Sequence, residues 1–120
     1  MHNEKYLQMV VGAELESCDL GPTGIVSGEP RPRVAKISHA GASGVTVTTG
    51  VFALDPGVIR AEVAATETIQ VLEGEILVEF DSGESLDLKP GDVVLFPAGT
   101  ATTRTVKTPY KEFYVHSSVR

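Results

Sequence analysis

The sequence predicts an all-β sandwich or barrel, and three observations carry that expectation. About nine short runs rich in Val, Ile, Thr, Phe and Tyr are spaced along the chain, each bounded by Gly, Pro, Asp or Ser. The longest of them, "VTVTTGVFAL" at Val45–Leu54, is β-branched and alternating, the period of a strand with one face buried. No window of about a dozen residues carries a 3.6-residue apolar period, so no amphipathic helix competes.

Taken in order, residues 1–33 are mixed. Val10 and Val11 fit a short strand, and "LGPTGIVSGEPRPR" (Leu20–Arg33) holds three prolines and is extended or turned. This segment reads as an extended N-terminal arm or edge strand lying on the domain or on a partner subunit. The β-domain proper is expected over residues 34–120. "VAKISHA" (34–40) is a strand, "GASG" a turn, 45–54 the long strand and "DPG" (55–57) a second turn. "VIRAEVAA", "ETIQVLEG" and "EILVEF" follow, the last with Ile76, Val78 and Phe80 on one face. "DSGE" is a hairpin turn in which Gly83 takes positive φ. "SLDL", "VVLFPAG", "TATTRTV" and "TPYKEFYVH" complete the run. No internal repeat or low-complexity tract interrupts it.

The bulk numbers narrow the function. At 120 residues the chain is one ordinary domain. With 42% hydrophobic and 22% charged residues it is globular rather than disordered. A net charge of −6 argues against nucleic acid and against an anionic membrane surface, both of which recruit Lys and Arg. Cys18 is the sole cysteine, so no intrachain disulfide forms. No signal peptide and no run of about 18 apolar residues is visible, which makes the cytoplasm the expected compartment. Uncovered edge strands and the proline-rich arm point to a homodimer.

The turn spacing carries a family resemblance. "GDVVLFPAG" (Gly91–Gly99) resembles the second motif of the cupins: Gly, five residues, Pro-x-Gly, then usually a metal-binding His two residues later. "ETIQVLEG" resembles the end of the first motif, with Glu67 and Gly74, and Gly57 resembles its opening Gly. With Gly50-Val51-Phe52, Pro56-Gly57 and Lys111-Glu112-Phe113-Tyr114, the chain is most similar to small cupins of the (S)-ureidoglycine aminohydrolase type, over about residues 25–116. The resemblance implies a cupin-type (RmlC-like) jelly-roll β-barrel with a cavity at its mouth, and in such enzymes a bound metal. The histidines it implies fall on Val63, Ala65 and Thr102, however, while His2, His39 and His116 lie outside both motifs. A divalent metal needs three or four converging N, O or S donors. The reading is therefore no metal site and no cofactor.

Strand alternation assigns the interior. If Glu67 faces inward, so do Ile69 and Val71; if Thr102 does, so do Thr100 and Arg104. Similar family members carry an aromatic residue where Arg104 stands. Two inward charges should find each other or a ligand, because an unpaired buried charge costs several kcal/mol. Glu67, Arg104, Thr102, Thr100 and Tyr114 are the candidate ligand-binding residues; no catalytic residue is assigned. Arg60 and Glu62 have the opposite parity and are expected outside, Gln70 at a surface or dimer contact, and Phe52, Phe80 and Phe96 in the core. Tyr114 either reaches the cavity or packs the closing strand. Three functions remain open: a metal-free binder of a small polar or anionic molecule, an enzyme of aminohydrolase or sugar isomerase/epimerase type, and an interaction module with a vestigial cavity. A metal-free isomerase or epimerase would need a general base and an acid; Glu67 could be the base, yet no histidine is expected to support it and no acid partner is evident.

Overall fold

The structure, a computed structural model, describes residues 14–20, 24–41 and 43–119. Val10 and Val11, expected in a strand, lie outside the described residues. The described chain is all strand and turn: β1 (Glu16–Ser17), β2 (Ile25–Gly28), β3 (Arg33–Ala40), β4 (Val45–Leu54), β5 (Gly57–Glu62), β6 (Thr66–Glu73), β7 (Ile76–Phe80), β8 (Ser85–Leu88), β9 (Val93–Phe96), β10 (Ala101–Val106) and β11 (Tyr110–Val119). There are thus more strands than the nine expected. Both extra strands, β1 and β2, come from residues before Arg33, where Pro and Gly hid the pattern. Among the described residues no helix is long and apolar enough to cross a membrane.

Two antiparallel sheets face each other. One runs β1-β3-β4-β11-β6-β9, the other β2-β5-β10-β7-β8. From β4 onward every connection crosses between the sheets except the β7–β8 hairpin. Gly83 turns that hairpin at φ +106°, in the left-handed region only glycine enters freely. Two of the crossings brace each other: Val63 N–H donates to Thr100 O at 2.9 Å and Gly99 N–H to Val63 O at 2.6 Å.

Alternation decides what lies between the sheets. Ile69 and Val71 on β6, Ile76 and Val78 on β7, and Leu54, Ile59, Phe96 and Val106 are buried, with Phe52 and Phe80 packed against them. Phe80 and Phe96 meet in a tilted pair at 5.9 Å between centroids. One face of β11 is different. Tyr110, Glu112 and Tyr114 are buried in its inward positions, so the interior is polar at one end. Two rows on the outward face of the six-stranded sheet are uncharged from β9 to β3. Val93, Gln70, Phe113, Val51 and Ala35 are register partners in one row, and Leu95, Thr68, Val115, Thr49 and Ile37 in the next.

Candidate functional site

The polar end of the interior is a cavity of about 460 Å³. Arg104 enters it from β10 on one sheet. Glu67 on β6 and Glu112, Tyr114 and His116 on β11 enter from the other. Burial leaves 6% of Arg104 and 9% of Glu67 exposed, so both charges are removed from water. They face each other at 3.8 Å, Nη1 to Oε1, an ion pair beyond hydrogen-bond length.

Each arm of the Arg104 guanidinium has a distinct surrounding. Nε donates to Thr102 Oγ1 at 3.0 Å, and the Thr102 hydroxyl donates in turn to Ala61 O at 3.0 Å. The guanidinium carbon lies 4.6 Å from the centre of the Phe96 ring, a cation–π contact. Nη2 is buried and has no hydrogen-bond partner among the described residues. A buried N–H donor without a partner costs about 1–3 kcal/mol, more on a charged group. Among the described residues Nη2 is the buried side-chain nitrogen or oxygen that folding leaves without a hydrogen-bond partner.

Glu67 has two different neighbours. Oε1 faces Arg104, and Oε2 meets His116 Nε2. The backbone register places His116 directly opposite Glu67 on the neighbouring strand. The imidazole also lies against Tyr114, with 4.7 Å between ring centres. Glu112 is the most buried acid of the cavity. Burial pushes its carboxyl up to about 7, against the Tyr110 hydroxyl, which donates to Oε1 at 2.6 Å, and the Arg104 charge, which both pull it down. Burial also pushes the hydroxyl of Tyr110 well above the ordinary phenol value, and raises that of Tyr114.

The structure brings Glu67, Arg104 and Tyr114 together on the cavity wall. The two threonines are elsewhere. Thr100 precedes β10, in the turn, and its hydroxyl donates to Pro97 O at 2.6 Å, so strand parity never applied to it. Thr102 points inward but is fully buried beneath Arg104, which it positions without lining the cavity. Arg60 is turned to the outer side, where Asp81 takes it at 2.6 and 3.0 Å. Cys18 lines the cavity, and burial raises its thiol, the opposite of what a reactive thiolate needs. Sequence reasoning missed Glu112 and His116. The signal was present in Tyr110, Glu112, Tyr114 and His116, an unbroken polar alternation along one strand.

These residues do not fit a divalent metal. Val63 and Ala65 line the cavity with methyl groups where the resemblance implies histidines, and Thr102 is engaged elsewhere. Glu67 and His116 touch each other, but a guanidinium lies 3.8 Å from the first. Among the described residues no group of three His, Cys, Asp or Glu side chains converges for an ion.

Comparison with known structures gives the same architecture. The ethanolamine utilization protein Q (EutQ) of Salmonella typhimurium LT2 is 24% identical over 75% of this chain and 72% of its own, with a TM-score of 0.63. The EutQ protein of Clostridium difficile is 17% identical, covering 78% and 75%, with a TM-score of 0.58. A protein of unknown function from Rhizobium leguminosarum bv. viciae 3841 is 26% identical over 69% and 79%, with a TM-score of 0.53. No curated protein matches the sequence. The EutQ-like cupin domain model matches residues 41–114, which span β4 to the cavity-lining Tyr114, and the chain belongs to that family of cupins.

Proposed function

We propose that this cupin is a cytoplasmic protein that binds a small polar or anionic molecule between its sheets, without a transition metal, and that Arg104 anchors it. The observation that carries this reading is that Arg104, a residue of the cavity wall, has a buried Nη2 without a hydrogen-bond partner. A guanidinium N–H recognises a carboxylate, phosphate or carbonyl oxygen. A cavity of about 460 Å³ suits a ligand of metabolite size, within the usual range of small-molecule pockets. The aminohydrolase reading relies on a bound metal, for which the donors do not fit. The vestigial-module reading needs a cavity packed shut. Likeness to EutQ at 24% identity and below carries the fold and not ethanolamine utilization.

The test is a thermal-shift screen of small carboxylates, hydroxy acids and sugars. A ligand at about a hundred times its Kd adds roughly 2.7 kcal/mol of stability, several degrees in the melting midpoint. Arg104→Lys keeps the charge and loses the fork, so the same compound should then shift the midpoint far less. A screen with no shifting compound, or with equal shifts in both proteins, sinks the reading.

The expected homodimer also has a place in this proposal. The two uncharged rows on the outer face of the six-stranded sheet, with Val93, Leu95 and Phe113 exposed, suit a second copy of the chain. A stable interface covers about 800 Å² per partner. Sedimentation equilibrium should give a dimer mass for the native protein and a monomer mass for Leu95→Glu; a monomeric native protein removes the claim.

A further inference from the structure

The cavity wall carries two buried carboxyl groups in different situations. Glu67 has Arg104 on one oxygen and His116 on the other. Glu112 is buried on the same wall, and among the described residues no cation stands within ion-pair distance of it. Its hydrogen bond comes from the neutral Tyr110 hydroxyl. Its register partners on the two flanking strands, Phe52 on β4 and Val71 on β6, are apolar. The charged and titratable groups that act on it are Tyr110 and His116 on its own strand, Glu67 on β6 and Arg104 on β10. Elsewhere on the wall stand Cys18, Lys36 on β3, and Arg60 and Glu62 on β5, with Arg60 already held by Asp81. Ionised, Glu112 is a second negative charge beside Glu67, with Arg104 already engaged; protonated, it is neutral and stays hydrogen-bonded.

We propose that the cavity takes up a proton on Glu112 as it binds a small anion, so that anions are held more tightly in acid than in alkali. This rests on the binding reading above and adds its regulation. A space of about 460 Å³ is about 10 Å across, so a charge held in it lies close enough to every wall to be felt there. The folded carboxyl titrates at about 7. Below that value it is already neutral and sets no charge against an incoming anion. Above it, a bound anion raises the value further, as any nearby like charge does. The complex then keeps a proton that the free protein has released. Linkage fixes the sign: affinity is full below about 7 and falls as pH rises above it, by up to about tenfold per pH unit until the value in the complex is reached. The proton comes from solvent and returns there when the anion leaves, and no other bond changes.

The experiment uses formate and acetate as anionic probes and acetamide as the neutral counterpart of acetate, with the full chain. Saturation-transfer NMR between pH 6 and pH 9 gives each Kd. A pH-stat held at pH 7 counts the protons taken up when the probe is added at the same pH. At least one anion should bind, with a Kd about tenfold or more higher at pH 9 than at pH 6. Its uptake should approach about half a proton per molecule, the ionised share of Glu112 at pH 7. Acetamide should take up none. Glu112→Gln, which matches the protonated acid in shape and charge, should flatten the pH dependence and abolish the uptake. Its melting curve checks that it folds, and the contrast between acetate and acetamide on native protein stands without it. An anion that binds equally at pH 6 and pH 9 with no uptake overturns the coupling and leaves the binding reading standing. Equal uptake with acetamide, or uptake that persists in folded Glu112→Gln, overturns the assignment. If neither anion binds at any pH, the proposal falls, while the binding reading, which also admits neutral polar molecules, is decided by its own screen.

Discussion

Arg104→Met should lower the melting midpoint by roughly 10 °C or more. Removing one member of a buried pair leaves the other charge stranded, at about 3–5 kcal/mol, and a domain of this length loses about 3–4 °C for each kcal/mol. The guanidinium also supplies the donor to Thr102 and the cation over Phe96, and both contacts go with it. The contact of His116 with the other oxygen of Glu67 survives the substitution, which places the loss at the lower end of that range. The decisive comparison is the double variant Arg104→Met/Glu67→Gln. With no charge left to strand, it should be more stable than Arg104→Met alone. Coupling between the two positions of up to about 3 kcal/mol is expected in a double-mutant cycle by urea unfolding. Strict additivity would mean that the two side chains do not form a pair in solution.

Stability should fall as pH rises from about 4.5 to about 7, and Glu112 is the reason. Its carboxyl titrates at the ordinary 4.5 in the unfolded chain and at about 7 in the fold. Between those values the native state keeps a proton that the unfolded state has released. The unfolded state then gains relative stability with each increment of pH, and the effect levels off above the folded value. Its full extent is on the order of 3 kcal/mol, taking about 1.4 kcal/mol for each pH unit. The groups around Glu112 are Tyr110 and His116 on its own strand, Glu67 on β6 and Arg104 on β10. Asp55 and Asp81 run the other way, held below the usual carboxylate range by Arg33 and Arg60, so their contribution is lost at more acidic pH. Urea midpoints of native protein and Glu112→Gln across pH 4 to 8 isolate the effect. The variant should show a flatter profile over the window, and an unchanged slope would assign the dependence to another group.

The elements from Arg33 onward were legible because each strand has its own alternation and its own Gly or Pro stop, as in 45–54 and 76–80. The pair of β1 and β2 was not, because Pro22 and Pro30 break the pattern on which a strand is recognised. In the site, parity along β6 and β10 was enough to set Glu67 against Arg104, since each strand runs without a bulge through those positions. Parity failed at Thr100 because the strand begins one residue later. It could not separate Thr102 as a support from Thr102 as a contact, because depth beneath a neighbour is not periodic. Glu112 and His116 were hidden by a different cause. Glu67, the partner of His116, lies 49 residues away in sequence, and adjacency across a sheet follows from topology rather than local pattern.

Thr102 fixes more than a side-chain position. A free arginine side chain carries about 2 kcal/mol of rotamer entropy. Here the chain from Ala61 O through the Thr102 hydroxyl to Nε, with the Phe96 ring alongside, selects one rotamer when the domain folds. An incoming molecule meets a preorganised donor and forfeits little ordering free energy on arrival. The proposed recognition by Arg104 should therefore depend on Thr102 as well, a threonine outside the cavity lining.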